Sequence, residues 1–152
     1  PFFPTQSGAD CLHCHSGFNF ENDQYMNNGL STDAEMQADL GRFKATNIDT
    51  DKGKFKVPTL RDIELTAPYM HDGSIATLGE VLDFYANGGR NITSGENQGD
   101  GRNNPNKSEF VKGFTLSQEE KQDMLAFLNA LSDEVFISNP RYANPFVEED
   151  AQ

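Results

Sequence analysis

Tryptophan is absent from the 152 residues, cysteine occurs only twice, and 12 basic side chains face 24 acidic ones, a formal charge of −12. Two cysteines cannot build a disulfide-stapled framework or a four-cysteine metal site. The acidic excess argues against nucleic acid and against an anionic membrane as partners; its ordinary role is solubility, and its functional alternative is steering toward a basic redox partner. No apolar run is long enough to insert across a bilayer, and no charged-then-apolar signal segment opens the chain. Only 36% of the residues are hydrophobic, a small core for one domain of this length. A large flat apolar group would complete such a core.

What is present starts with Cys11-Leu12-His13-Cys14-His15. Two thiols three positions apart lie on neighbouring parts of one helical turn, where they can form thioethers to the two vinyl groups of a haem, and the adjacent His15 imidazole then reaches the iron. Cys-x-x-Cys alone would also fit a redox dithiol or half a zinc site. The histidine that follows immediately, with no second cysteine pair anywhere, favours one covalent haem c held by Cys11, Cys14 and His15. Haem attachment of this kind takes place in the bacterial periplasm or an equivalent oxidising space, so the expected location is periplasmic. Pro1 is then read as the start of a mature chain or of a fragment.

Residues 1–10 are too broken by Pro and Gly for a helix of any length. Residues 17–28 read as a loop whose Phe18 and Phe20 line the haem. A short helix is expected over 33–40, capped by Ser31 or Thr32 and ended by Gly41. Residues 44–57 alternate weakly, and 49–53 suggest a hairpin turn between short strands. Oxygen-rich residues there match no EF-hand calcium loop. Thr77 and Glu80 form a capping box that opens a helix through Val81, Leu82, Phe84 and Tyr85, stopping at Gly88-Gly89. Residues 88–109 read as a long surface loop. A second capping box at Ser117 and Glu120 precedes an apolar stripe of Met124, Leu125, Phe127, Leu128 and Leu131 at helical spacing. The segment 133–152 reads as a C-terminal extension wrapping the surface.

A haem iron bound by His15 needs a strong second ligand for pure electron transfer, or an open place for catalysis. Met70 would favour Fe(II) and raise the potential, Tyr85 as phenolate would favour Fe(III) and lower it, and His71 would give bis-imidazole ligation. Each has an ordinary alternative: core filling for Met70, a hydrogen bond to Asp72 for His71, and helix packing for Tyr85. His13, inside the motif, points away from the haem by geometry.

The run Val57-Pro58-Thr59-Leu60-Arg61, then Leu65-Thr66-Ala67-Pro68-Tyr69-Met70-His71-Asp72-Gly73-Ser74, Thr77-Leu78-x-Glu80-Val81 and Ser117-x-Glu119-Glu120-Lys121 resembles the C-terminal haem domain of bacterial di-haem cytochrome c peroxidases and their MauG-like relatives. The similarity runs from about Phe2 to Leu131. The resemblance implies two cytochrome c-like domains with calcium at their interface, held in part by backbone carbonyls of the step that is here Thr66-Ala67-Pro68. It also implies a distal iron ligand nineteen positions beyond that threonine, methionine in the peroxidases and tyrosine in MauG-like enzymes. That position is Tyr85, which is therefore preferred over Met70, and Arg61 is implied near a haem propionate.

Two departures stand out: the family reduces peroxide at a second haem, for which this chain has no motif, and the helix that usually precedes the motif is missing. The expected fold is an all-α, cytochrome c-like single domain over 1–152, with long loops and at most a short β-hairpin, forming part of a longer two-haem protein. The expected function is electron relay to or from a peroxide-reacting haem on an N-terminal domain or equivalent chain, with a small redox protein as electron donor. On that expectation this chain is not catalytic by itself. One alternative is a free-standing mono-haem electron carrier; another is an open-site haem sensor or catalyst in which Tyr85 and Met70 only pack.

Overall fold

The computed structural model describes residues 2–3 and 8–145. The chain is mostly helical with few short strands. Among the described residues there are five α-helices: α1 (Asp33–Ala38), α2 (Phe43–Thr46), α3 (Leu78–Ala86), α4 (Gln118–Asn129) and α5 (Glu134–Ile137). The three longest begin alike. Thr32, Thr77 and Ser117 each accept from the backbone N–H three residues on, while Glu35, Glu80 and Glu120 reach back to the cap's own N–H. Each box satisfies two otherwise orphaned donors, so these helix starts are set locally.

Two short antiparallel strand pairs and several 3-10 turns accompany the helices among the described residues. β1 (Tyr25–Met26) joins β2 (Phe55–Lys56), and β3 (Asn91–Ile92) joins β4 (Gly99–Asp100). The expected hairpin around 49–53 does not form. There, α2 is closed by Asn47 in the left-handed region (φ 56°), and a 3-10 turn follows over Asp49–Asp51. The buried Asp51 explains the turn: it accepts from the Thr46 hydroxyl (3.0 Å) and pairs with Arg42 and Lys54 (both 3.3 Å), closing the segment on itself. The hairpin lies instead at 91–100, inside the stretch expected to be a structureless loop. The C-terminal stretch likewise holds α5, capped by Asp133; residues 146–152 lie outside the described residues.

The core sits between α3 and α4. Leu78 and Leu82 from one helix meet Met124 and Leu128 from the other and Leu131 just beyond its end, with Leu60 and Tyr69 closing the sides. Phe2 joins them: its ring lies 5.0 Å from Phe127 and 6.2 Å from Phe20. Cys11 and Leu12 pack against this cluster, so the α3–α4 pair is the frame on which the cysteine motif rests.

Candidate haem site

The motif opens a single 3-10 turn, Cys11–His13. The N–H groups of Cys14 and His15 both donate to the Cys11 carbonyl, at 3.2 and 2.8 Å. Both cysteines are free thiols, half-buried. Burial, reinforced by the Asp10 carboxylate, pushes the Cys11 thiol up to about 11, and Cys14 moves the same way for the same reasons. A redox dithiol needs the reverse, a thiolate stabilised near neutral pH. Among the described residues no group of three or more His, Cys, Asp or Glu side chains converges on a point a metal ion would occupy.

One ring nitrogen of His15 is committed to the backbone. Its Nδ1 lies 3.1 Å from the Phe20 carbonyl, which can only accept, so Nδ1 carries the proton and Nε2 is left with its lone pair. Burial lowers the imidazole's proton affinity, against the pull of the Phe20 and Pro58 carbonyls. The ring is therefore neutral, the form that binds a metal. His13 is exposed as expected; it pairs with Asp10 and stacks on Phe110 at 4.2 Å.

The loop after the motif is fixed by Arg61. Its Nε and Nη2 donate to the Phe18 carbonyl at 3.2 and 2.7 Å, and its guanidinium lies 4.6 and 5.4 Å from the Phe18 and Phe20 ring centres. Phe20 turns into the core beside Phe2 and Phe127, whereas Phe18 is 84% exposed beneath the guanidinium. Arg61 thus meets the chain where the cysteine segment leaves its turn.

Of the three distal candidates, two come together. The Tyr85 hydroxyl and the Met70 sulfur both lie against the side-chain amide of Asn28, at 3.4 and 3.5 Å. Tyr85 occupies the last turn of α3, and burial raises its pKa. The Asn28 N–H pulls the other way, and Cys14 and Cys11 act electrostatically on the same phenol. His71 is elsewhere: its exposed ring stacks on Phe55 at 3.6 Å and lines a cleft of about 410 Å³ with Glu35, Asp39, Asp72 and Glu96. Thr66 and Pro68 are exposed on the turn that follows Ile63–Leu65. Asn28 escaped sequence reasoning altogether, because Asn27-Asn28-Gly29 reads only as a turn.

No family profile matches the chain. Individual relatives do. It is 34% identical over 151 aligned residues to a cytochrome-c peroxidase, IdrP1, of Pseudomonas sp. strain SCT, an alignment covering 82% of this chain and 37% of that protein. It is 33% identical over 126 residues to the methylamine utilization protein MauG of Methylorubrum extorquens, covering 83% of this chain and 32% of MauG. Among solved structures, a MauG-like protein associated with microbial copper homeostasis superposes with a TM-score of 0.85 at 41% identity, over 95% of this chain and 48% of that one. A variant of the di-haem peroxidase BthA from Burkholderia thailandensis shares the fold, with a TM-score of 0.64 at 17% identity. The chain spans about a third of the length of these curated relatives.

Proposed function

Because the chain belongs to the di-haem cytochrome c peroxidase and MauG-like family, we propose that it is a covalent haem c electron-transfer domain of such a protein. In this reading it relays electrons to or from a peroxide-reacting haem carried outside these 152 residues, on a partner domain or chain. When bound, the haem supplies the one-electron centre. The residues of this chain attach it, orient it and set its potential.

The observation that carries the reading is the state of His15: a neutral imidazole with Nδ1 committed to the Phe20 carbonyl at 3.1 Å, directly after a pair of half-buried thiols whose pKa values are raised by desolvation and by Asp10. Thiols of that kind do not function as a redox pair, but they fit attachment by a maturation system. Arg61 stiffens the Phe18–Phe20 loop to which His15 donates its hydrogen bond and is suited to a propionate as well. Tyr85 is the preferred second ligand and Met70 the alternative. Thr66 and Pro68 offer carbonyls to an interdomain calcium on an exposed turn, consistent with a surface that another domain covers. A small redox protein would serve as electron donor, in the periplasm. Among the described residues no helix is long and apolar enough to cross a membrane.

The test is spectroscopic. The chain, expressed with a c-type maturation system, is compared with Tyr85→Phe and Met70→Leu in the ferric and ferrous states, by optical and electron-paramagnetic-resonance spectra. Tyr85→Phe is expected to change the ferric low-spin signal, and Met70→Leu to leave it. The opposite pattern, with Met70→Leu abolishing a thioether-to-iron charge-transfer band, overturns the ligand preference. Spectra and domain association insensitive to a chelator remove calcium from this reading.

A further inference from the structure

One side chain lies between the two distal donors and has no role in the reading above. The Asn28 amide donates toward the Tyr85 hydroxyl at 3.4 Å and toward the Met70 sulfur at 3.5 Å, across 57 and 42 residues of sequence. Its orientation is set by a third contact: Oδ1 accepts from the Leu30 N–H at 3.2 Å, which turns the –NH₂ group toward the two donors.

The segment bearing Asn28 is rigid. Asn27 and Leu30 are 4% and 1% exposed. The Asn27 carboxamide oxygen accepts from the Gly29 N–H at 2.8 Å, and the Gly29 carbonyl accepts from the Arg90 N–H at 2.9 Å. Gly29 has φ +74°, and a Cβ there would meet the Gly101 carbonyl oxygen at 3.0 Å. The Met70 side is held just as firmly. Its backbone has φ +72°, a conformation that side-chain-bearing residues rarely adopt. The Tyr69–Ile75 bridge closes that loop with hydrogen bonds of 2.7 and 3.4 Å, and Arg90 ties Asp72 at 3.1 Å.

The two contacts differ in chemistry. Phenol oxygen is a good acceptor whose bond to an N–H strengthens as the oxygen gains negative charge, and it keeps a second lone pair free. Thioether sulfur is a weaker acceptor, so the amide holds it less strongly than it holds the phenol, but the contact still points the sulfur at Asn28. We propose that Asn28 is a positioning residue that selects between the two donors, presenting the Tyr85 oxygen to the iron while keeping the Met70 sulfur turned away. The proposal rests on the Tyr85 reading given above.

The test uses the haem-loaded chain carrying Asn28→Asp, Asn28→Leu, or Asn28→Leu with Met70→Leu. Asn28→Asp keeps the oxygen that receives the Leu30 N–H and removes both N–H donors, so it carries the test if Asn28→Leu fails to fold. The expected result for both single variants is loss of the parental ferric signal, gain of a thioether-to-iron charge-transfer band, and an upward shift in midpoint potential. The double variant loses the new band. A parental spectrum and potential in both single variants overturns the proposal, as does loss of the parental signal without the thioether band. A thioether band already present in the unsubstituted protein and abolished by Met70→Leu overturns the Tyr85 reading itself, and is distinguished by appearing before Asn28 is touched.

Discussion

The attachment turn and the distal cluster are built by opposite means. From Cys11 to His15 every chemical group is contiguous, and the turn closes on its own carbonyl at Cys11. Asn28, Met70 and Tyr85 arrive from three segments and meet only because the fold brings them together. A contiguous site tolerates changes elsewhere, whereas an assembled one inherits the stability of everything that positions it. On the proposed reading, covalent attachment and ligand choice are therefore separable.

The largest expected effect falls on the contiguous region. Cys11→Ser with Cys14→Ser removes both attachment sulfurs, so the haem that remains after acid–acetone extraction should fall to background, read as pyridine haemochrome. Covalent haem persisting in that double variant would show that another side chain forms the bond. Met70→Leu and Tyr85→Phe, by contrast, should leave the covalent haem content unchanged.

An intermediate effect is expected where the assembled region depends on one side chain. Arg90 donates to Glu35 at 3.0 Å and to Asp72 at 3.1 Å and also contacts Ser74, so it joins α1 to the loop that bears Met70. With Arg90 and Glu35 only 20% and 18% exposed at the side chain, Arg90→Met leaves two partly buried carboxylates without their shared cation, each keeping a backbone N–H donor. The cost should fall between the surface and buried limits for ion pairs, about 2 kcal/mol, measured by denaturant unfolding of the holo form. Haem content should hold while the ferric signal splits into more than one species. A single unchanged signal would mean that the distal cluster does not need this tie.

The same division governs what could be read from the chain. The cysteine motif and the capping boxes at Thr77 and Ser117 depend on residues a few positions apart, and the described structure has both helices where those boxes put them. The weak alternation at 44–57 misled, because strand-like spacing says nothing of Asp51, whose pairing with Arg42 and Lys54 folds the segment into helical turns. The pairing of β1 with β2 spans thirty residues of chain and leaves no local mark. Phe2 beside Pro1 gave no hint of its place against Phe127. Asn28 was invisible for the same reason, since an asparagine in a turn acquires chemistry only from the side chains that tertiary folding sets beside it.

The smallest effect belongs to the frame that serves both regions. At the start of α4, Glu120 accepts from the Ser117 N–H at 2.8 Å, while the Ser117 hydroxyl oxygen accepts from the Glu120 N–H at 3.2 Å. The Ser117 backbone N–H, and after it the Ser117 side chain, hold the Glu120 carboxyl below its ordinary value of 4.5. The unfolded chain therefore takes up the proton first as pH falls. The carboxylate's contribution is fully present above the unfolded pKa and is lost as pH drops through the folded one. Glu120→Gln should lower the melting temperature at pH 7 slightly, and the gap to the parent should close as the pH falls through the carboxyl's lowered pKa. Both the haem content and the ferric signal should stay unchanged, because Met124 and Leu128 keep α4 packed behind Cys11 and Leu12 through contacts the cap does not supply. If the ferric signal moved together with the melting temperature, α4 would belong to the assembled distal region, and the separation of attachment from ligand choice would fail at its base.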